Sequence, residues 1–356
     1  MKKIIKILIA LILITSIIVF GAYYYYNQQI NLPASDSDNI IQIEIEQNES
    51  VKDISVKLQT AGVIKSSDIF FLYVKLNQIA SQIQAGKFQI PQNLTVIEVA
   101  EKIQKAAGND IWITIQEGLR LDEIAETLDE YFLKEENTLF NKEEFLDIVN
   151  NPDNYELDSE DLLADKPIDN SLEGYIFPNT YNINKDITSL ELTNLFLDTL
   201  ENKLETESID INSHQEFNSY EVIVLASIIE REARTSEERS MISDILQKRL
   251  RGELDGVKLL QADATLLYDL KDWEAVITSE IKENDSEYNT YKVTGLTPTP
   301  ICNPGIDSIK AVLSPKENTY FFYLHDDKGK IHYAETNEEH VNNQRCFINK
   351  NSDYCL

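Results

Sequence analysis

The chain has 356 residues, which is enough for a membrane anchor and two or three globular units. With 61 acidic and 32 basic residues its formal net charge is −29, and this charge opposes binding to nucleic acid or to an anionic membrane face. The three cysteines, Cys302, Cys346 and Cys355, are too few for a disulfide scaffold and lack metal-ligand spacing, so they indicate neither redox nor zinc chemistry, and pairing of Cys346 with Cys355 is left open.

The first predicted element is a transmembrane helix at residues 7–26. This stretch carries no charge, and about 20 such residues suffice to span a bilayer. Lysines precede it and four tyrosines close it, which is typical of a cytoplasmic flank and an outer aromatic belt. We therefore expect a cytoplasmic segment at 1–6, a single-pass anchor in the cytoplasmic (inner) membrane and a body on the extracytoplasmic side. A cleaved signal peptide is the alternative, but no small-residue cleavage site follows.

Residues 27–39 are polar and predict a linker, and a small α+β module follows at residues 40–108. Its pattern is an alternating strand (41–45), a helix from about Ser50, a second helix from Ser66 or Ser67, a short strand (87–90) and a helix entered through Thr95. This order is that of a LysM-like carbohydrate-binding fold. Many small modules share it, so a spacer without a ligand is an equal alternative.

A larger unit is predicted at residues 109–356. It opens with a strand at 112–115 and a helix at 121–132, and the acidic residues 133–170 predict a surface insertion. Alternating strands near the C-terminus, joined by a turn at 326–329, predict a hairpin. The expected fold class is α+β, with an N-terminal transmembrane helix, a small LysM-like module and a mixed α+β domain that holds its chemistry within about 171–345.

The helix that begins near residue 218 carries two glutamates at the edges of its apolar face. Asn218 and Glu221 form an N-cap with a capping-box partner, and an apolar stretch follows at 222–229. At about 100° per residue, Glu232 falls on one edge of this stripe and Glu230 on the other. Shelter raises the pKa of a glutamic acid and suits it to protonate a glycosidic oxygen. The position of the apolar stripe barely distinguishes Glu230 from Glu232 as the candidate acid. A glutamate here could instead form a salt bridge with a nearby arginine, which is the alternative to a catalytic role.

Four ordered motifs resemble those of one enzyme family. They are EGYIFPNTY at 173–181, ASIIERE at 226–232, LLQADATLLYDL at 259–270 and YNTYKVTGLTPTPICNPG at 288–305. Together they resemble the motif series of the endolytic murein transglycosylases, the MltG or YceG-like family, and the resemblance extends from residue 1 to about residue 345. That family has an N-terminal anchor, a LysM-like module and a C-terminal catalytic domain, which would be residues 109–356 here.

The resemblance implies a lyase reaction on peptidoglycan. The β-1,4 bond between N-acetylmuramic acid and N-acetylglucosamine is cut within a glycan strand, leaving a 1,6-anhydro end, and one glutamate suffices as acid and then base. The resemblance assigns this role to Glu232, with Glu230 as the runner-up. It also implies glycan strands and membrane-bound cell-wall synthases as partners, termination of nascent strands as the role, and no cofactor.

Five more residues within these motifs are candidates for binding the sugar chain. Gln261 and Asp263 are suited to hydrogen bonds with hydroxyl or N-acetyl groups, and Tyr268 to stacking on a pyranose ring. Asn303 offers a bidentate amide, and Asn289 lies in the same motif. A purely structural role in loops and turns is the alternative for each.

Two other classes of function stay open beside the lyase. A non-catalytic, membrane-anchored peptidoglycan-binding protein would use the same groove without a working glutamate. A two-carboxylate hydrolase would need Asp263 close to Glu232, with room for water, and would leave a reducing sugar. A metal site is not predicted, because His325, His332 and His340 have neither a helix-spaced partner nor a carboxylate third ligand.

Overall fold

The computed structural model describes residues 15, 20–21, 23–35, 37, 39–46, 49–104, 110–135, 138–351 and 354. The chain divides into two compact units, Met1–Ile111 and Trp112–Leu356. Helices and three two-stranded sheets make up the described part, so the α+β class is confirmed. The predicted domain limits and the LysM-like assignment stay predictions.

The first unit is built on one antiparallel strand pair. Strand β1 (Ile40–Ile45) pairs with β2 (Gly86–Pro91), and the alternating side chains of each strand bury one face. Three helices, each begun by a serine or threonine N-cap, complete the core: α1 (Val51–Thr60), α2 (Ser67–Leu76) and α3 (Val96–Lys102). The elements and their order agree with the prediction from sequence.

The structure contradicts one part of the predicted fold class, the N-terminal transmembrane helix at 7–26. Among the residues that the structure describes, no helix is long and apolar enough to cross a membrane. Much of the predicted span lies outside those residues. The described helical stretch at 23–30 runs on through the polar Asn27, Gln28 and Gln29, and Ile30 at its end is buried in the core of the first unit.

The first half of the second unit is a helical layer beside a small sheet. Strand β3 (Asp110–Thr114) pairs with β4 (Thr180–Asn184), and the helices are α4 (Leu121–Phe132), α5 (Lys142–Asn150) and α6 (Ser189–Thr206). Aromatic rings fill the space between these helices. Phe140 stacks on Phe132 at 4.5 Å, and Phe196 meets Phe145 and Tyr181 edge to face.

The second half is organised around a buried helix, α7 (Ser219–Glu232). Its capping box is formed by Asn218 and Glu221, as predicted, and every residue from Val222 to Glu230 is buried. Around it lie α8 (Ser236–Arg251), α9 (Asp263–Asp269) and α10 (Ile306–Leu313). The predicted hairpin is β5 (Phe322–His325) with β6 (Ile331–Ala334), followed by α11 (Asn337–Asn343).

The cysteines differ in state. Cys302 is a buried free thiol that donates to the backbone carbonyl of Ser227 in α7. Cys346 is disulfide-bonded. Cys355, the partner that the sequence suggested for Cys346, lies outside the described residues.

Candidate active site

A cavity of about 430 Å³ opens at the C-terminal end of α7, where Glu232 is the last helical residue. Glu232 is partly buried and faces this cavity. Distant parts of the chain complete the lining, with Arg249 from α8, Gln261 and Asp263 around the start of α9, and Tyr323 from β5. The helix end and the hairpin are thus brought together by the tertiary fold.

The environment of Glu232 favours its protonated form. Burial raises the pKa of its carboxyl, and the nearby charge of Asp263 raises it further. Hydrogen bonding acts in the opposite direction, since the hydroxyl of Tyr323 donates to Oε2 at 2.8 Å and the backbone N–H of Ala264 lies 3.4 Å from Oε1. Its place at the C-terminus of a helix also disfavours a negative charge. The pKa of Glu232 is raised overall, as a general acid requires.

Glu230 lies on the other side of α7 and has a different environment. Its Oε1 accepts from Nη2 of Arg239 at 2.6 Å, and its Oε2 accepts from the backbone N–H of Gly305 at 3.0 Å and the hydroxyl of Ser308 at 2.7 Å. Both oxygens are therefore used in joining α7 to α8 and α10. The surroundings of Glu230 and Glu232 therefore differ, a difference that the helical stripe alone did not show.

Two of the predicted sugar-binding residues line the cavity with Glu232. Asp263 accepts from the hydroxyl of Tyr291 at 2.6 Å and is 3.1 Å from the ammonium of Lys282. Gln261 has a φ of +53°, a left-handed conformation that is strained for a residue with a side chain, and its backbone N–H donates to the carbonyl of Thr290 at 3.0 Å. Strain of this kind is common where a functional group must be presented at a fixed angle.

The other three predicted sugar-binding residues lie elsewhere. Tyr268 lines a second cavity of about 440 Å³, and its hydroxyl lies 3.4 Å from Oε2 of the buried Glu173. Asn289 is completely buried and its amide donates to the carbonyls of Lys282 and Asn284.

Asn303 is also completely buried. Its Oδ1 accepts from the backbone N–H groups of Gly174 and Ile176, and its amide nitrogen donates to Leu119 and Glu173. The amide thus holds three chain segments together. The structure does not place Asn303 at the cavity with Glu232.

Sequence reasoning missed the contribution of the C-terminal hairpin. Tyr323 and His325 line the cavity, and Tyr323 contacts Glu232 across 91 positions of sequence. Arg249 and Tyr291 also line the cavity, and no signal in the sequence indicated that they do. The alternation of β5 places residues 323 and 325 on one side of the strand, but nothing in the sequence shows what that side faces.

The arrangement supports acid–base chemistry by a single glutamate. Of the described residues lining the cavity, Glu232 and Asp263 carry carboxylates, and Asp263 is already paired with Lys282. Across the part of the chain that the structure describes, no group of three or more histidine, cysteine or acidic residues is placed to hold a metal ion.

Comparison with known proteins agrees with the motifs. The model of the YceG-like family matches residues 43–346. A Bacillus subtilis (strain 168) protein named endolytic murein transglycosylase is 30% identical over 95% of this chain and 93% of its own length. A Streptococcus pneumoniae (strain D39) protein of the same name is 27% identical over 93% of this chain, which spans 62% of that relative. A crystal structure of a YceG-like protein from Listeria monocytogenes is 30% identical, with a TM-score of 0.55, covering 86% of this chain and 99% of that one.

Proposed function

This chain belongs to the YceG-like family, and on that premise we propose that it is an endolytic murein transglycosylase. The observation that carries the proposal is the position of Glu232, a partly buried residue that lines a cavity and has a raised pKa. The proposed substrate is the glycan strand of peptidoglycan. The names of the B. subtilis and S. pneumoniae relatives support this substrate class.

In the first step of the proposed reaction, the carboxylic acid of Glu232 protonates the oxygen that links C1 of N-acetylmuramic acid to N-acetylglucosamine. The bond from C1 to that oxygen breaks, and the N-acetylglucosamine side leaves with the proton of Glu232. Because burial raises the pKa of Glu232 and so favours its acid form, the group is suited to this transfer. The electron deficiency left at C1 spreads to the ring oxygen as an oxocarbenium-like centre.

In the second step, the carboxylate of Glu232 accepts the proton of the C6 hydroxyl of the same muramic acid. The C6 oxygen then bonds to C1 and closes the 1,6-anhydro ring. No water is consumed, and Glu232 ends in the acid form in which it began. One carboxyl group thus serves both steps, which fits a cavity where Asp263, the other lining carboxylate, is paired with Lys282 and Tyr291.

The proposed site of action is outside the cytoplasmic membrane, because peptidoglycan lies there. We further propose that cutting within strands as they are made limits their length, with cell-wall synthases as neighbours. The word "endolytic" in the names of the B. subtilis and S. pneumoniae relatives supports cleavage within strands.

The test is digestion of purified glycan strands by the full-length protein, followed by mass spectrometry of the products. The wild type is expected to yield 1,6-anhydro ends, and Glu232→Gln none. Glu237→Gln is the matched control, because Glu237 is an exposed glutamate of α8 that pairs with Lys316 away from the cavity. Reducing ends in place of anhydro ends would make the protein a hydrolase, and binding without cleavage by the wild type would make it a non-catalytic binder.

A further inference from the structure

We propose that Tyr323 is a positioning residue for Glu232, one that fixes which carboxyl oxygen carries the transferable proton. The proposal rests on the proposed function for its kinetic consequence. Its structural basis is the 2.8 Å hydrogen bond from the Tyr323 hydroxyl to Oε2 of Glu232.

The two oxygens of Glu232 have unequal partners. Oε2 accepts the short bond from Tyr323, whereas the partner of Oε1 among the described residues is the backbone N–H of Ala264, at the longer distance of 3.4 Å. A phenol has one hydrogen to donate, so a proton on Oε2 would reverse this contact: Oε2–H would donate to the phenol oxygen, and the Tyr323 hydrogen would need another acceptor. The acidic proton is therefore directed to Oε1, and Tyr323 keeps its bond in both protonation states.

Tyr323 is itself held in place by Arg249. The guanidinium of this buried residue donates from Nε and Nη2 to the carbonyl of Phe321, at 2.9 and 2.7 Å, and from Nη1 to the carbonyl of Leu260. Phe321 lies two residues before Tyr323, and Leu260 lies four residues before Ala264. One planar cation thus fixes both segments that reach the carboxyl of Glu232.

The bond from Tyr323 strengthens as the reaction proceeds. A hydrogen bond to a carboxylate is stronger than one to a neutral acid, so Tyr323 stabilises the charge that forms on Glu232 when the glycosidic oxygen is protonated. Without this donor, the pKa of Glu232 rises, because the hydroxyl of Tyr323 lowers it. The other charged or titratable groups that face Glu232 or act on it are Asp263 from α9, His325 from β5, Arg249 from α8 and Tyr291.

The test compares Tyr323→Phe with wild type in the full-length protein, and Tyr333→Phe is the control. Tyr333 is the cross-strand neighbour of Tyr323 in the hairpin, and its ring stacks on Tyr320. The first readout is a carbon-13 NMR titration of the glutamate carboxyls, with the Glu232 signal assigned by its loss in Glu232→Gln. Tyr323→Phe is expected to move the Glu232 titration to higher pH, and Tyr333→Phe to leave it unchanged.

The second readout is the pH profile of strand cleavage. The reaction starts from protonated Glu232, so activity falls as pH rises through its pKa, and this alkaline limb is expected to move to higher pH in Tyr323→Phe. The maximal kcat is expected to fall about 10- to 100-fold with little change in KM, as for loss of one hydrogen bond to a charged group.

An unchanged Glu232 titration in Tyr323→Phe, or an equal shift in both tyrosine variants, would overturn the inference. A loss of rate without movement of the alkaline limb would also overturn it, because that result describes a merely structural side chain. A wild type that forms no anhydro ends would refute the proposed function instead, since the NMR titration judges the hydrogen bond without substrate.

Discussion

Removing the Glu230 carboxylate should destabilise the fold and spare the chemistry, which is the reverse of the effect expected at Glu232. Glu230 is buried and receives three hydrogen bonds, from Arg239, the backbone of Gly305 and the hydroxyl of Ser308. Glu230→Ala would leave these donors without their acceptor. Arg239 keeps a weaker ion-pair partner in Glu117, whose carboxylate lies 3.6 Å away, so the guanidinium charge would still be partly compensated.

The loss of stability in Glu230→Ala can be estimated from the donors that would lose their acceptor. An unsatisfied buried group costs about 1–3 kcal/mol, and breaking a buried ion pair by removing one partner costs about 3–5 kcal/mol. The remaining contact of Arg239 with Glu117 favours the lower half of that range. A loss of about 3–4 kcal/mol in the free energy of unfolding corresponds to a fall in Tm of about 6–16 °C for a unit of this size.

The assay combines calorimetry with product analysis. Tm is measured for wild type, Glu230→Ala and Glu232→Gln, and strand cleavage is measured at 15 °C, where Glu230→Ala is expected to stay folded. We expect Glu230→Ala to show a lower Tm with anhydro products, and Glu232→Gln to show a Tm near that of wild type without them. A folded, wild-type-stable Glu230→Ala that makes no product would refute this assignment of the two glutamates.

Four further outcomes are expected. Glu232→Gln should lower the rate of cleavage about 10²- to 10⁴-fold, the usual contribution of a general acid–base group, as judged by initial rates on defined strands. Asp263→Asn should move the alkaline limb of the pH profile to lower pH, because the charge of Asp263 raises the pKa of Glu232; a shift to higher pH would contradict this. Gly174→Ala should cost about 2–4 kcal/mol by urea unfolding, since Gly174 has a φ of +92° and a Cβ there would lie 2.7 Å from Ile223. Burial raises the pKa of Glu173 from 4.5 to about 8, so its neutral form stabilises the fold at low pH and this stability is lost as pH rises through 8. Glu173→Gln should therefore show a smaller decline of Tm between pH 5 and 9 than wild type, and an equal decline would count against the raised pKa.

Local structure followed closely from local sequence. The capping box of Asn218 and Glu221 marked the start of α7, and the serine and threonine N-caps marked the helices of the first unit. These signals work because a cap satisfies backbone N–H groups within one turn of itself. The alternation around residues 320–336 likewise indicated the hairpin of β5 and β6.

The transmembrane helix at 7–26 is the part of the predicted fold class that was wrong. A run without charge indicates a membrane span by length and polarity alone. In the described residues the helix continues into Asn27, Gln28 and Gln29, and Ile30 is buried in the core of the first unit. Hydropathy alone does not show what an apolar side chain packs against.

The sequence by itself determined the α+β class, the order of the elements, the family motifs and the pair of candidate glutamates. Only the tertiary structure shows how their surroundings differ, because Glu230 and Glu232 lie about equally far from the apolar stripe, at about 100° per residue. Gly305 and Ser308 bind Glu230, and Tyr323 binds Glu232, from 75 to 91 positions away in sequence. The geometry of a site depends on such long-range contacts, whereas caps and periodicity report only on a few neighbouring turns.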